Sequence, residues 1–152
     1  MLVEKYLIKF DEIDPNSRDE HNETLLHVTI RHGFFESTHY LISLDKIDIT
    51  AKDDKGKTIF HNACNTNNLE LIQYLVMLDK FDINTKTKDD ETPLYFAIKQ
   101  EKLPIIKYLT SLQGIDLSIK DISNKTYLHL AAEANENESI TNHLLSLNQI
   151  PV

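Results

Sequence analysis

The sequence is poor in several residue types, and each shortage excludes a class of protein. Its 152 residues include one cysteine, so no disulfide can form within the chain, which favours a reducing, cytoplasmic location. Three glycines provide no glycine-rich loop of the kind that cradles phosphate groups. No apolar run approaches the roughly 18 residues that a membrane-spanning helix needs, so we expect no association with a membrane.

The charged residues argue against another class of ligand. Aspartate and glutamate number 24 against 16 lysine and arginine residues, which gives a net charge of −8. Proteins that bind nucleic acid through its phosphates need basic residues in excess, so we expect no nucleic-acid partner. The composition, 41% hydrophobic and 26% charged, is that of a folded chain, and the length predicts a single domain over residues 1–152.

A period of 34 residues runs along nearly the whole chain. It appears as a threonine, an aspartate, a tyrosine followed by leucine, and an apolar residue just before the aspartate. These columns are Thr24, Thr58, Thr92 and Thr126; Asp14, Asp48, Asp82 and Asp116; Tyr6, Tyr40, Tyr74 and Tyr108; and Ile13, Ile47, Phe81 and Ile115. Four columns with one period predict repeated units that stack and share a continuous core.

Each unit predicts a short helix followed by a longer one. Threonine is a good N-cap, because its hydroxyl can accept a hydrogen bond from a free amide of the first turn. Pro93 and Pro104 suit first turns, where the missing N–H had no partner. Two residues before each threonine stands a residue type that tolerates positive φ, which predicts a tight turn at Asn22, Gly56, Asp90 and Asn124.

The ends of the helices and the core can also be placed by the period. We expect breaks near Gly33, Asn67, Glu101 and Asn135, and long helices ending around Leu44, Leu78, Leu112 and Leu147. The predicted core is Leu26, Leu41, Leu44, Phe60, Ala63, Leu75, Leu78, Leu94, Ala97, Leu109, Leu112, Leu128, Ala131 and Leu144. The column of Ile13, Ile47, Phe81 and Ile115 is expected to add an apolar ladder beside this core.

Four short strings begin at the periodic threonines: TLLH at 24–27, TIFH at 58–61, TPLY at 92–95 and TYLH at 126–129. They resemble the TPLH signature of ankyrin repeats, and the resemblance covers about residues 2 to 150. It implies an all-α fold, an ankyrin-repeat solenoid of stacked helix-turn-helix units with projecting loops. The implied boundaries are a half repeat over 1–18 and repeats over about 19–52, 53–86, 87–120 and 121–152.

The resemblance also gives the motif residues a structural role. In the family the motif imidazole bonds the motif threonine and the backbone of a loop. The residues in these positions are Thr24, His27, Thr58, His61, Thr92, Thr126 and His129. The third repeat departs from the family pattern, because it lacks the histidine and carries Glu101 where a mid-repeat glycine is usual.

No pattern points to catalysis, a cofactor or a metal. Nucleophile and metalloprotease motifs are missing, so we expect no catalytic residue and no enzyme activity. His61 and Cys64 have a spacing that could bring two zinc ligands together, but no second pair exists, and a buried structural thiol is the expected role of Cys64. His21, His32 and His39 are expected to lie scattered over the surface.

Ankyrin repeats generally bind proteins through their loop tips and the exposed side of their short helices, which line a concave face. The positions of this face hold ten of the 16 basic residues, namely Arg18, Arg31, Lys52, Lys55, Lys57, Lys86, Lys88, Lys99, Lys120 and Lys125. They predict a basic stripe that engages an acidic or phosphorylated segment of a partner. The alternative is that loop lysines only keep an exposed surface soluble.

The sequence therefore predicts a monomeric, non-catalytic module for protein–protein interaction. Two other functions remain open at this point: a stoichiometric inhibitor that clamps an enzyme, and a targeting arm of a larger multidomain protein. Fold alone does not choose a partner.

Overall fold

A computed structural model describes residues 14–134 and 138–147, and within these ranges all regular structure is helical apart from one isolated bridge between Arg18 and Thr24. The helices are α1 (Leu25–Arg31), α2 (Phe35–Ile42), α3 (Ile59–Cys64), α4 (Leu69–Met77), α5 (Pro93–Lys99), α6 (Leu103–Thr110), α7 (Tyr127–Glu133) and α8 (Glu138–Ser146). This arrangement confirms the predicted all-α solenoid. None of these helices has the length and apolar character needed to cross a bilayer.

Helix starts follow the periodic threonines as predicted. Each of α1, α3, α5 and α7 begins directly after one of them, and the threonine itself has an extended backbone. The Thr92 hydroxyl accepts a hydrogen bond from the Tyr95 amide at 3.2 Å, and the Thr126 hydroxyl accepts one from the His129 amide at 3.5 Å. Pro93 is the first residue of α5, where its lack of an N–H removes no helical bond.

The tight turns before these helices have the predicted conformation. The backbone φ is 60° at Asn22, 77° at Gly56, 59° at Asp90 and 63° at Asn124. In the first loop Asp19 Oδ1 also accepts hydrogen bonds from the amides two and four residues later, both at 2.9 Å. These bonds stabilise the carboxylate and lower the pKa of Asp19. The loop geometry is therefore set within each unit.

The long helices end one or two residues earlier than predicted, at Ile42, Met77, Thr110 and Ser146. Positive φ values at Gly33 (74°) and Glu101 (54°) confirm two of the predicted breaks between paired helices. Three predicted features lie outside the described residues: the break near Asn135, the half repeat as far as residue 13, and Ile13 of the apolar ladder.

The core runs between the short and long helices along the array. The short helices pack on one another in order, α1 on α3, α3 on α5 and α5 on α7, and more closely than the long helices do. Most predicted core residues are buried, but Leu44, Leu78, Leu112 and Leu128 are only half-buried against the core. They lie near helix ends, where fewer neighbours cover them. Completely buried isoleucines that the prediction omitted are Ile30, Ile59, Ile72, Ile98 and Ile106. The described ladder residues, Ile47, Phe81 and Ile115, also pack half-buried against it.

The loop tips of neighbouring repeats are joined by main-chain hydrogen bonds. The Asp54 amide donates to His21 O at 3.1 Å, and the Lys88 amide donates to Lys55 O at 3.0 Å. The Ile122 amide continues the series at 3.2 Å from Asp89 O. Because each tip is bonded to the next, the loops present their side chains in a fixed order. We call the surface formed by these tips and the exposed side of the short helices the inner face.

Candidate protein-interaction face

The motif histidines lie beneath the inner face and connect successive repeats. The backbone amide of Thr58 donates to His61 Nδ1 at 3.0 Å, so this nitrogen is an acceptor and the proton is on Nε2. His61 Nε2 then donates to Thr85 O at 3.1 Å and to Glu91 O, in the next repeat, at 3.3 Å. His27 makes the same bridge, with Nε2 3.2 Å from Lys57 O. Each bridge fixes the base of a loop to the helix before it.

Burial makes these two histidines poor bases. Desolvation of the ring lowers the pKa of His61 from 6.5 to about 4, and it also lowers the pKa of His27. The third motif histidine, His129, bonds the Thr126 hydroxyl at 2.8 Å in the same way, but its side chain is exposed. The described motif histidines therefore have structural contacts throughout.

Eight of the ten predicted basic residues are exposed, while Lys57 and Lys125 are half-buried. Several of the ten already have partners. Ion pairs join Arg31 to Glu23 at 2.9 Å, Lys86 to Asp90 at 3.2 Å, and Lys125 to Glu133 at 2.8 Å. The Glu133 carboxylate raises the pKa of Lys125. These pairs remove three charges from the stripe that the sequence predicted.

Other members of the stripe contact backbone or aromatic rings. Arg18 donates from Nη1 to Lys52 O at 2.8 Å, so it connects the first repeat to the second. Lys57 Nζ lies 4.5 Å from the centroid of the Phe96 ring. Lys99 Nζ lies 5.6 Å from the centroid of the Tyr95 ring. Such cation–π contacts hold an ammonium in place and leave its charge unpaired.

Four lysines of the stripe make none of these contacts within the described residues. Within the described residues, Lys52, Lys55, Lys88 and Lys120 form no ion pair and no side-chain hydrogen bond, and all four are exposed. They come from successive loops, whose tips are bonded to one another. We call this set the free lysines. Neither a carboxylate nor an aromatic ring contacts their ammonium groups in this part of the chain.

A groove of about 760 Å³ lies on the inner face between the first two repeats. We call it the inner groove, and its lining includes Glu23, Arg31, Lys55, Lys57, Asn62 and Thr66. His21 and His32 also line it, so the structure brings together two histidines that we expected to be scattered. Sequence reasoning missed this groove because its walls come from two repeats.

His39 lies elsewhere, in a smaller recess of about 370 Å³ between α2 and α4. Its ring is 4.3 Å from the ring of Tyr74, centroid to centroid. Met77 lines the same recess and is 81% exposed. This recess is formed by the long helices, so it does not belong to the inner face.

No group of three or more His, Cys, Asp or Glu side chains could hold a metal ion in the parts of the chain that the structure describes. Cys64 is completely buried within the core, and burial raises the pKa of its thiol. The expected role of Cys64 as a buried thiol is therefore confirmed. A thiol in this state is a weak nucleophile.

Comparison with known proteins agrees with this geometry. A family model described as ankyrin repeats, in three copies, matches residues 2–87 and again residues 60–151. Together the two matches cover nearly the whole chain. No curated protein matches it at a significant level.

Proposed function

Because the chain belongs to the ankyrin repeat family, whose members generally bind proteins, we propose that its inner face binds an acidic or phosphorylated segment of a protein partner. The chain then acts as a non-catalytic interaction module, with residues 1–152 as one domain. The observation that carries the proposal is the set of free lysines, Lys52, Lys55, Lys88 and Lys120, on loops fixed to one another.

The electrostatic argument concerns the contrast between this face and the whole chain. The chain carries a net charge of −8, yet the free lysines of the inner face have neither a carboxylate nor an aromatic partner within the described residues. Fixed charges of one sign steer a complementary partner and set its register. Since the tips are joined by main-chain hydrogen bonds, little conformational entropy is lost when they are bound.

The test compares two charge-reversed variants of the full chain. Lys55→Glu/Lys88→Glu/Lys120→Glu changes the inner face, and Lys46→Glu/Lys80→Glu/Lys107→Glu makes the same change in charge at exposed lysines of the long helices and the turns after them. Each is used at low salt to retain proteins from a cell extract, and mass spectrometry identifies what is bound.

We expect the wild type and the second variant to retain the same protein and the first variant to lose it. The affinity of the retained protein for the first variant should be lower by about tenfold or more, and a factor of ten corresponds to about 1.4 kcal/mol. Retention of the same protein by both variants, or of no protein by the wild type, would contradict the proposal.

A further inference from the structure

Asn62 departs from its column in a way that packing does not explain. The equivalent residues of the other repeats, spaced by the period of 34, are Val28, Phe96 and Leu130. Phe96 and Leu130 are buried, and Val28 is half-buried. The column is therefore apolar in every other repeat, and an amide at this position of α3 calls for another explanation.

The amide of Asn62 lacks a hydrogen-bond partner. Its Nδ2 atom is buried, and among the described residues it is the only buried side-chain nitrogen or oxygen atom that makes no hydrogen bond. A buried donor without a partner lowers the stability of the folded state. The terminal torsion of asparagine is broad, so a half-turn of the amide can present the donor to the inner groove, which Asn62 lines.

Two cations beside Asn62 are available to an anionic occupant. Lys55 and Lys57 line the same groove, and neither has an ion-pair partner in the described parts of the chain. Asp53 and Asp54 line it too, and Asp53 Oδ1 accepts hydrogen bonds from the amides of Lys55 and Lys57 at 2.9 and 2.7 Å. Neither of these carboxylates forms an ion pair within the same residues, so an incoming anion can pair with the two ammonium groups.

We propose that the inner groove binds an aspartate or glutamate side chain of the partner. Asn62 donates a hydrogen bond to that carboxylate, and Lys55 and Lys57 supply the opposite charge. A carboxylate is favoured over a phosphate because Arg31, the guanidinium of the groove, is already bound to Glu23 at 2.9 Å. This inference rests on the proposed function and names the group that the partner inserts.

Asn62→Leu tests the proposal because it separates binding from stability. Leucine has a similar size and is the residue type found at position 130. If the amide serves a ligand, the variant should unfold at an equal or higher urea concentration than the wild type and should bind at least tenfold more weakly. A lower unfolding midpoint would show that the amide stabilises the fold and would overturn the proposal.

The binding probes are peptides selected on the full chain from a phage library of random 12-residue sequences. Their dissociation constants are measured by fluorescence anisotropy for the wild type, Asn62→Leu, Lys55→Gln and Lys80→Gln. Lys80 is exposed and lies outside both the inner face and the groove lining, so Lys80→Gln is the matched control for Lys55→Gln. We expect acidic peptides that lose at least tenfold affinity with Asn62→Leu and with Lys55→Gln, and less than threefold with Lys80→Gln.

Changes in the peptide distinguish the carboxylate from other groups. Replacing its critical Glu with Gln should abolish binding, and replacing it with phosphoserine should weaken binding. Selection of no peptide, selection of peptides without Asp or Glu, or tighter binding of the phosphoserine peptide would overturn the proposal. A protein partner that needs Lys88 and Lys120 but binds Asn62→Leu normally would overturn it as well and would leave the proposed function standing.

Discussion

Tyr127 Oη lies 2.7 Å from Thr92 Oγ1, and this contact replaces the histidine that the third repeat lacks. In the first and second repeats the threonine hydroxyl lies 2.9 and 3.0 Å from the motif histidine of the same repeat. At Thr92 the corresponding residue is Tyr95, and the partner comes from the following repeat instead. Burial of Tyr127 raises its pKa to about 12, so the phenol stays protonated.

Removing the Tyr127 hydroxyl should therefore destabilise the protein. We expect Tyr127→Phe to lower the free energy of unfolding by about 1 kcal/mol, because the buried Thr92 hydroxyl loses a partner. Urea unfolding followed by circular dichroism measures this. The control is Tyr108→Phe, since the Tyr108 side chain is half-buried and makes no hydrogen bond within the described residues. Equal stabilities of the two variants would contradict the role of Tyr127.

Stability should fall as the solution becomes more acidic. The pKa of His61 is about 4 in the folded chain and about 6.5 when unfolded, so the unfolded chain binds a proton that the folded chain does not between these pH values. The free energy of unfolding then has its full value above pH 6.5 and decreases as the pH falls toward 4. We expect His61 to account for a loss of about 2 kcal/mol between pH 7 and pH 5.

His27, whose pKa is also lowered by burial, adds to the loss in the same direction. The measurement is a set of urea titrations at several pH values for the wild type, His61→Gln and His129→Gln. His129 has the same motif position but an exposed side chain. A pH dependence that His61→Gln leaves as steep as in the wild type would show that His61 is not its source.

Alanine substitutions at two glycines with positive φ should distinguish the cost of backbone strain from the cost of a steric contact. A Cβ on Gly56 would lie 3.1 Å from the backbone nitrogen of Lys88, while a Cβ on Gly114 would meet nothing within 4 Å. Gly114→Ala should cost about 1–2 kcal/mol for the left-handed conformation alone. Gly56→Ala should cost about 1 kcal/mol more, because the next loop must move. Thermal and urea unfolding measure the stability of both variants. Equal losses of stability would show that the close approach to Lys88 adds nothing to the effect of Gly56→Ala.

Asn84 should contribute to the coupling between the second and third repeats. Its Nδ2 donates to Gly114 O at 2.8 Å, and its Oδ1 accepts from the Asp116 amide at 2.9 Å. We expect Asn84→Ala to lower the free energy of unfolding by about 1–2 kcal/mol. Thr50, the residue 34 positions earlier, bonds among the described residues only to Asp48 in its own turn, so Thr50→Ala is the control with the smaller effect.

The features confined to one repeat could be predicted from the sequence. The threonine before each short helix and the positive φ at Asn22, Gly56, Asp90 and Asn124 depend on local backbone geometry, and the period shows them four times. The fold class followed in the same way. The same local geometry recurs in every unit, so the repeated residues are enough to predict it.

The features that join two repeats could not be predicted in this way. The contact of Tyr127 with Thr92 occurs once, at a departure from the pattern, and the period carries no signal for it. The inner groove and the unpaired amide of Asn62 depend on which side chains from neighbouring loops face each other. The ion pairs that occupy Arg31, Lys86 and Lys125 also required coordinates. The sequence-based stripe was therefore larger than the set of free lysines.

The central claim is that the inner face is the binding surface, and hydrogen–deuterium exchange on the captured complex tests it most directly. A bound partner should slow exchange in the loop tips, for example at the amides of Asp54, Lys88 and Ile122, and in the short helices α1, α3 and α5. The amides of the long helices α2, α4 and α6 should exchange as they do in the free chain. Protection confined to the long helices, with unchanged loop tips, would contradict the account.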